Sequence, residues 1–317
     1  MLGAARRGGS ISLTEVRARR PRFSYMQHER LAMQWITTRF AIDLSRPKVM
    51  GIVNVTPDSF SDGGVHDNTK AALQHCEQLL RDGADILDIG GESSRPGATP
   101  LPLAQELARV LPVLREVVSL GVPISVDSYK PAVMQAALDL GADIINDIWA
   151  LRWREPGSDG EPAAVDVIAA HGRCGVCLMH MHREPQTMQV EPMTGDVVPQ
   201  VYAFLHGRAQ TLQARGVAKE RIVLDPGIGF GKTVAQNFSL LARQRELLAS
   251  GYPLLAGWSR KSSLAGMGDS AQPLAAQQRM VPSVAAALLA AERGAAVLRV
   301  HDVRETVQAL RVMHALE

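Results

Sequence analysis

The sequence predicts an α/β fold made of a single (β/α)8 barrel, the architecture also called a TIM barrel. Eight short apolar runs, each about four to eight residues long, alternate with segments of helical periodicity. Such runs are typical of parallel strands that are buried on both faces. A sequence frame of about six residues also recurs along the chain, as stacked βα units would produce. Eight strand–helix units fit a closed barrel better than an open sheet.

The apolar runs and the helical patterns give the predicted elements in chain order. The strands are predicted at residues 48–55, 85–89, 123–126, 143–148, 175–179, 221–224, 253–256 and 296–300. The helices are predicted at residues 69–81, 102–119, 131–139, 164–170, 197–215, 234–249, 283–293 and 303–316. Pro102 and Pro131 suit a first helical turn, where the missing N–H costs nothing. Glycines suit the helix ends, and they stand at Gly83, Gly121, Gly141, Gly216, Gly251 and Gly294.

The recurring frame appears three times, as GADILD at residues 83–88, GADIIN at 141–146 and GAAVLR at 294–299. In each copy a helix ends at Gly-Ala, an apolar strand follows, and a polar residue stands five positions after the glycine. The frame therefore predicts a polar side chain near the carboxyl end of each of these strands.

The bulk composition is that of a soluble globular protein, with 46% hydrophobic and 21% charged residues. No run approaches the roughly 18 apolar residues of a membrane span, so we expect no membrane partner. Three cysteines (Cys76, Cys174 and Cys177) give no disulfide framework, so we expect a reducing compartment, the cytoplasm. The net charge is +2, and residues 1–38 alone hold a surplus of +5, which leaves −3 for the rest. A mildly acidic body gives no support to nucleic-acid binding.

The basic first segment predicts two domains of unequal kind. Residues 1–38 read as a basic extension, and residues 39–317 as the barrel. The extension lacks the apolar stretch of a secretory signal. It could be a transit peptide or a basic arm, but its composition favours a disordered tail or a start at Met26 or Met33. Residues 152–162, rich in Gly, Pro and charge, read as a surface insertion.

The loop at residues 54–64, NVTPDSFSDGG, is the most unusual stretch of the chain. It leaves the first predicted barrel strand and carries turn formers, hydroxyls and carboxylates around Phe60. Its proline and glycines exclude a regular helix or strand. We expect such a loop at the active site, which a TIM barrel places at the C-terminal ends of its strands.

Polar residues also follow the other predicted strands, while the strand starts carry no comparable set. Some are donors suited to phosphate: Arg95, Lys261, Arg299 and His301. Arg299 and His301 are two apart on a strand and should point to the same side. Others are hydrogen-bonding groups that need partners when buried: Asp127, Asn146 and Asp225. Together they predict a flat, nitrogen-rich heterocycle that bears phosphate. Asp88 could bind the ligand or anchor an arginine.

Two motifs have simpler interpretations than their first appearance suggests. Cys174 and Cys177, followed by His180 and His182, could suggest a zinc or redox cluster. Residues three apart on a strand point to opposite faces, however, and a buried strand is the favoured interpretation. The glycine-rich residues 227–233 fail the templates of both a P-loop and a dinucleotide loop. A turn that brings backbone close to a ligand or to a neighbouring strand remains.

With these residues assembled, the chain resembles the dihydropteroate synthase family, the folate-pathway enzymes targeted by sulfonamides. The resemblance covers residues 48–317, and seven motifs carry it, at seven strand ends. They are NVTPDSFSDGG at 54–64, GGESSRPGA at 90–98, SVDSYKP at 125–131, LMHM at 178–181, LDPGIGFGK at 224–232, SRKS at 259–262 and RVHD at 299–302.

The resemblance implies condensation of 6-hydroxymethyl-7,8-dihydropterin diphosphate with 4-aminobenzoate, and usually a homodimer. It implies a pterin site whose members would be Asp127, Asn146, Asp225, Lys261 and the wall residue Met179. It implies a diphosphate site formed by Ser94, Arg95, Arg299 and His301. The aminobenzoate would lie against Phe60, Pro96 and Ser262, and Asn54 would ligate Mg²⁺. Ser94 replaces the threonine of many members and keeps its hydroxyl. Asp62 would complete the loop at 54–64 as a closing lid.

The implied chemistry is an SN1-like substitution without a covalent enzyme intermediate. Positive charge from Mg²⁺, Arg95, Arg299 and His301 would stabilise the departing diphosphate. Two alternatives remain. One is a pterin-binding barrel of the methyltetrahydrofolate-dependent class, which has no need of the diphosphate cations. The other is a catalytically inactive relative.

Overall fold

Eight parallel strands close into a barrel with helices on its outside, so the predicted fold class is confirmed. The computed structural model describes residues 33–56, 65–93, 95, 97–154, 162–268 and 272–316. The order of strands around the barrel is the order of the chain, and the last strand pairs with the first. This topology puts the carboxyl ends of all eight strands at one mouth.

The strands comprise an N-terminal hairpin and the barrel itself. The hairpin strands are β1 (Gln34–Ile36) and β2 (Ala41–Asp43). The barrel strands are β3 (Lys48–Asn54), β4 (Ile86–Gly90), β5 (Ile124–Asp127), β6 (Ile144–Asp147), β7 (Gly175–Met179), β8 (Ile222–Asp225), β9 (Leu254–Ala256) and β10 (Ala295–Val300).

The helices follow the barrel strands along the chain. They are α1 (Val65–Arg81), α2 (Leu103–Val117), α3 (Pro131–Asp139), α4 (Ala164–His171), α5 (Val197–Ala214), α6 (Val234–Ala242), α7 (Gln244–Leu247), α8 (Met280–Glu292) and α9 (Val303–His314). Short 3-10 turns extend several of them.

The predicted barrel strands agree with the observed ones to within one residue at each end. The long predicted helix at residues 234–249 is wrong in one respect, because it breaks into α6 and α7. Arg243 leaves the helical conformation at the break, with φ −105° and ψ 17°. Its guanidinium there bonds Asp196 and Glu246, so side-chain partners support the interruption.

The hairpin closes the end of the barrel opposite the mouth. Its strands pair antiparallel, and Trp35 faces Ile42 across the pair. Trp35 and Leu44 are fully buried. The hairpin starts on the N-terminal side of the predicted boundary at residues 38 and 39, because its apolar side chains fit the barrel end. Residues 1–32 lie outside the described residues.

The inside of the barrel is layered, because alternate side chains of each strand point inward. The lowest layer, called here the barrel floor, is apolar. It is formed by Met50, Ile86, Ile144, Cys177, Val223, Leu255 and Val297, packed with Trp35, Ile42 and Leu44 of the hairpin. Each inward position two residues further along a strand lies closer to the mouth. Asp88, Asn146, Met179, Asp225 and Arg299 occupy these positions.

Polar contacts fasten the hairpin to the floor. Trp35 Nε1 donates to the carbonyl of Arg221 at 3.0 Å. Arg39 binds Asp143 through two nitrogens, at 3.0 and 2.6 Å. Asp143 also accepts from the backbone of Ile124. The hairpin is therefore joined to β5, β6 and β8 rather than to one neighbour.

Cys76, Cys174 and Cys177 are buried free thiols. In the described part of the chain, no helix combines the length and apolar composition that crossing a membrane requires. Of the predicted insertion at residues 152–162, residues 155–161 lie outside the description.

Candidate active site

Strand register brings the predicted polar residues to one level at the mouth. Asp127 of β5 is paired with Asn146 of β6, and Met179 of β7 with Asp225 of β8. Asn54 ends β3 opposite Gly90 of β4. Because all the strands are parallel, residues that are 19, 46 and 36 positions apart in the sequence become neighbours here.

A buried carboxylate organises the centre of this level. Asp88 has no exposed surface and accepts a hydrogen bond from Ser125 Oγ at 2.6 Å. It also accepts from Asn146 Nδ2 at 3.2 Å and from Arg299 Nε at 2.6 Å. Of the two roles left open by the sequence, the structure supports the anchor. Asp88 holds Arg299 and orients Asn146.

Arg299 joins two carboxylates from different strands. Its Nε binds Asp88, and its Nη2 donates to Asp127 at 2.6 Å. Its side chain keeps 19% exposure toward the mouth. Burial raises the pKa of Asp127 to about 7, an effect that the charge of Arg299 opposes. Burial likewise raises the pKa of Asp225, whose Oδ1 accepts from the backbone of Gly227 at 2.7 Å. Partners that donate N–H groups would therefore stabilise the charged form of both carboxyl groups.

Lys261 faces these carboxylates from the end of β9. Its ammonium lies 4.3 Å from the centre of the Phe230 ring, within cation–π range. Burial, with the nearby charge of Arg299, lowers the pKa of Lys261 to about 8, while Asp225 and Asp127 oppose the shift. Gly229 packs beside the lysine stem, since a Cβ there would be in ordinary van der Waals contact with Lys261 Cδ, and its φ of 84° is what favours glycine.

His301 is fixed by Ser259. The Ser259 hydroxyl lies 2.9 Å from His301 Nδ1 and accepts from the His301 backbone N–H at 3.1 Å. Arg260 and Asp302, which follow Ser259 and His301 in the sequence, form an ion pair at 2.6 Å. Burial, with the nearby charges of Arg260, Arg299, Lys261 and Arg95, lowers the pKa of His301 to about 3. The imidazole is therefore neutral at physiological pH. Because the charge of Arg95 contributes to this shift, Arg95 lies close enough to His301 to interact with it electrostatically.

The glycine-rich turn after β8 makes the close backbone approach that the sequence predicts. Gly227 has φ 67°, and a Cβ there would lie 1.8 Å from the His180 carbonyl oxygen. Lys232 is buried, and its ammonium donates to the carbonyls of Gly227 at 2.8 Å and Phe230 at 3.1 Å. Burial lowers the pKa of Lys232 to about 7. Lys232, which stands where the dinucleotide-loop template would need a glycine, thus braces the turn that carries Phe230.

An apolar wall stands beside the polar groups. Its members form a separate cluster of Ile148, Met179, Met181, Met188 and Phe230, flanked by Tyr129 and Trp149. Met179 is 4% exposed, in agreement with a pocket wall. A flat ring between this wall and the carboxylates would contact both kinds of surface.

Asn54 meets the requirements of a Mg²⁺ ligand in chemistry but would supply only one oxygen. It is half-buried at the end of β3. The described residues contain no group of three or more His, Cys, Asp or Glu side chains that could hold a metal by themselves. Mg²⁺ commonly keeps several waters and binds through one or two protein oxygens together with substrate phosphates. A single amide oxygen beside a diphosphate fits that pattern.

Of the remaining predicted site residues, the structure describes Ser262. Ser262 is exposed at the start of a short 3-10 helix, Ser262–Met267, directly after Lys261. Four predicted site residues lie outside the described residues: Phe60, Asp62, Ser94 and Pro96.

Sequence reasoning did not single out Ser259, Phe230 or Lys232 as parts of the site. Phe230 had a usable signal, because an aromatic residue between glycines after a strand end is unusual. The contact of Ser259 with His301 joins positions 42 residues apart and has no local signature.

Comparisons with known proteins identify the family of the chain. Residues 50–301 match the model of a family described as pterin binding enzyme. A dihydropteroate synthase of Neisseria meningitidis serogroup B is 49% identical over 287 residues, which are 89% of this chain and 97% of the relative.

Solved structures give the same result. A Burkholderia cenocepacia dihydropteroate synthase complexed with 7,8-dihydropteroate has a TM-score of 0.77 at 49% identity, covering 90% of this chain and 96% of its own. A Xanthomonas albilineans dihydropteroate synthase with 4-aminobenzoic acid has a TM-score of 0.77 at 48% identity, covering 87% and 95%.

Proposed function

The chain belongs to the pterin-binding enzyme family, and we propose that within it the chain acts as a dihydropteroate synthase. It condenses (7,8-dihydropterin-6-yl)methyl diphosphate with 4-aminobenzoate, and it releases 7,8-dihydropteroate and diphosphate. One observation carries the proposal: hydrogen-bonding groups for a pterin and cations for a diphosphate share one barrel mouth. A pterin barrel of the methyltetrahydrofolate-dependent class would have no use for the second set.

The pterin would bind between the carboxylates and the apolar wall. Its N–H groups would donate to Asp127 and Asp225, and Lys261 would donate to its ring oxygen or nitrogen acceptors. Asn146 is held in place by Asp88, so its amide is already oriented. Met179 and Phe230 offer apolar surface to the ring faces.

The diphosphate would bind on the side where Arg95, Arg299 and His301 converge. The neutral ring of His301 can donate one hydrogen bond, and the two arginines supply the charge. Ser94, next to Arg95, would add a hydroxyl donor. The aminobenzoate would then lie near Ser262, and Phe60 and Pro96 are the further contacts that the family resemblance implies.

The reaction breaks the methylene C–O bond and forms a C–N bond to the amine. The electron pair of the C–O bond leaves with the diphosphate, and the electron-rich pterin stabilises the cationic carbon. The amine is a nucleophile without prior deprotonation, and it loses its proton after attack. The residues therefore mainly stabilise the leaving group and position both partners, without a covalent enzyme intermediate. Mg²⁺, held by Asn54 and the diphosphate oxygens, would supply further positive charge to the leaving group.

The outer face of α8 supports assembly as a homodimer. Val281 is 70% exposed, and Leu289 on the same face is 43% exposed. Ala285 lies between them on the helix surface and is also exposed. On the neighbouring helix α9, Val312 is 66% exposed. A helix that is apolar on its outward face is typically covered by a partner, and a second copy of this chain would cover it.

We place the enzyme in the cytoplasm, which the buried free thiols support.

The deciding experiment measures diphosphate release from the pterin diphosphate with and without 4-aminobenzoate. We expect release to depend on aminobenzoate and to yield dihydropteroate in equal amount.

Asp225→Asn should lower kcat/KM about 100-fold, because a buried hydrogen-bonding charge is lost. Asp139→Asn, an exposed carboxylate on α3, serves as the matched control and should be unchanged. Absence of aminobenzoate-dependent product with the unaltered protein would refute the assignment.

A further inference from the structure

A largely buried cluster of four side chains lies beside the mouth, and of these only the ring of Tyr129, which flanks the apolar wall, belongs to the site described above. It comprises Glu92, Glu106, Tyr129 and Lys130, called here the Lys130 cluster. Lys130 is 4% exposed, and its ammonium binds both Glu92 and, at 2.5 Å, Glu106. The hydroxyl of Tyr129 donates to the second oxygen of Glu92 at 2.8 Å.

The cluster joins three elements that carry different parts of the site. Glu92 lies two residues after β4, at the root of the loop that carries Arg95. Tyr129 and Lys130 follow Asp127 at the end of β5. Glu106 lies in the first turn of α2. The cluster therefore connects a diphosphate-binding loop to a pterin-binding strand through one ammonium group.

Further contacts show that the loop root is closely held. Arg109 of α2 donates to the carbonyl of Gly91 at 2.9 Å. A Cβ at Gly91 would lie 2.7 Å from Val110, so the loop backbone rests directly on α2. At the far end of the loop, the N–H of Gly97 donates to the Pro185 carbonyl at 3.2 Å. Lys130 and Tyr129 together tie this loop to the end of β5, because both bind Glu92.

The charges of the cluster are unbalanced, which argues against a purely structural purpose. Two carboxylates share one ammonium, and burial raises the pKa of Glu106 although Lys130 and the Ser128 hydroxyl both oppose the shift. Replacing a buried ion pair with apolar groups of the same size is often neutral or stabilising. A costly charged anchor is therefore better explained by the position it enforces. The charge of Glu106 also reaches the site, since it helps raise the pKa of Asp127.

We propose that Lys130 is a positioning residue for the transfer reaction, which fixes the Arg95 loop against the β5 end by binding Glu92. Its role rests on the proposed function, because it aligns the diphosphate with the pterin already held by Asp127. Loosening the loop root should affect ligands with a diphosphate far more than a pterin that lacks one.

The mildest test removes one hydroxyl. Tyr129→Phe deletes the hydrogen bond to Glu92 and leaves the ring in place. Tyr252→Phe is the matched control, because its hydroxyl also bonds one side-chain oxygen, Gln213 Oε1 at 2.9 Å, away from the mouth. We expect Tyr129→Phe to raise the KM for the pterin diphosphate about tenfold, the cost of one hydrogen bond to a charged group. Binding of the bare pterin should change less than about twofold. Tyr252→Phe should leave both unchanged.

A second pair of variants tests the lysine itself. In calorimetric titrations, Lys130→Met should weaken the binding of inorganic diphosphate at least about tenfold more than the binding of bare pterin. Lys130→Arg should restore most of the lost affinity. Equal losses for both ligands, or an unchanged KM in Tyr129→Phe, would overturn the proposal. Calorimetry of inorganic diphosphate needs no turnover, so this result is distinct from a failure of aminobenzoate-dependent synthesis. If Lys130→Met does not fold, the Tyr129→Phe comparison still decides.

Discussion

At the scale of single residues, the site depends on charges that are kept in place by other charges. Arg299 would be a poor ligand for diphosphate if it moved freely, but Asp88 and Asp127 hold its guanidinium from two strands. Ser259 does the same for the ring of His301. Held groups need little reorganisation when negative charge develops on the leaving group, and this preorganisation is what lowers the barrier.

Lys261 gives a pH prediction at this scale. Its pKa is lowered to about 8, so the ammonium is present below about pH 8 and is lost as the pH rises through that value. We expect kcat/KM to fall above about pH 8, because a neutral amine cannot supply the cation. Lys261→Arg should move the fall to higher pH, since a guanidinium stays charged.

The control for this profile is Lys219→Arg, an exposed lysine before β8 at the far end of the barrel. It should leave the descending limb in place. A descending limb at the same pH in Lys261→Arg would show that another group controls it.

The sequence predicted the residues at this scale better than their contacts. Asp127, Asn146, Asp225, Lys261, Arg299 and His301 stand at strand ends, and a barrel brings strand ends together. Of the groups that hold them, only Asp88 was suggested by the sequence, as one of two alternatives: a ligand contact or an anchor for Arg95 or Arg299. Asp88 and Arg299 are 211 positions apart, and nothing local marks their contact. Arg299 was predicted as a phosphate ligand, and its pairing with Asp127 emerges only in three dimensions.

At the scale of elements, the barrel strands were predictable and the hairpin was not. Strands buried on both faces have continuous apolar runs, so their ends are marked by the first polar residues. β1 and β2 have three residues each, too few for a periodic signal. β1 also lies within the basic segment, residues 1–38, whose composition suggested an unstructured tail.

The hairpin is expected to contribute strongly to stability through Trp35. Trp35→Ala should lower the free energy of unfolding by about 3–5 kcal/mol, because a fully buried indole leaves a cavity and the carbonyl of Arg221 loses its donor. Urea denaturation followed by circular dichroism measures the change.

Val190→Ala is the control for this experiment, since Val190 is 78% exposed and should change stability by less than about 0.5 kcal/mol. If the two variants were equally stable, the hairpin would not be a working part of the barrel fold.

At the scale of the whole molecule, the barrel has a polar end and an apolar end. The polar level at the mouth stands directly on the apolar floor, and the hairpin covers that floor from outside. Charged groups near the mouth therefore have low-dielectric material beneath them. This arrangement strengthens their mutual interactions and explains why the pKa values of Asp127, Lys261 and His301 are displaced.

Assembly is the prediction that belongs to the molecule as a whole. We expect the protein to sediment as a dimer at micromolar concentration, and Val281→Glu to sediment as a monomer, because a carboxylate would be buried in the apolar contact. Sedimentation velocity distinguishes the two species. Val190→Glu places the same charge on an exposed site away from α8 and should remain dimeric. A monomeric unaltered protein would rule out the proposed contact.

The layered barrel also gives the protein two sets of intrinsic optical probes. Trp35 and Trp258 are buried, whereas Trp149 and Trp153 follow β6 and are partly exposed. Acrylamide should quench the emission of the second pair and leave a blue-shifted component from the first. A ligand that enters the mouth would change the quenchable signal, and release of the hairpin would change the protected one. Because Trp258 follows β9 at the mouth, its replacement by phenylalanine leaves Trp35 as the buried probe, and the two ends of the barrel can then be followed separately by fluorescence, without any label.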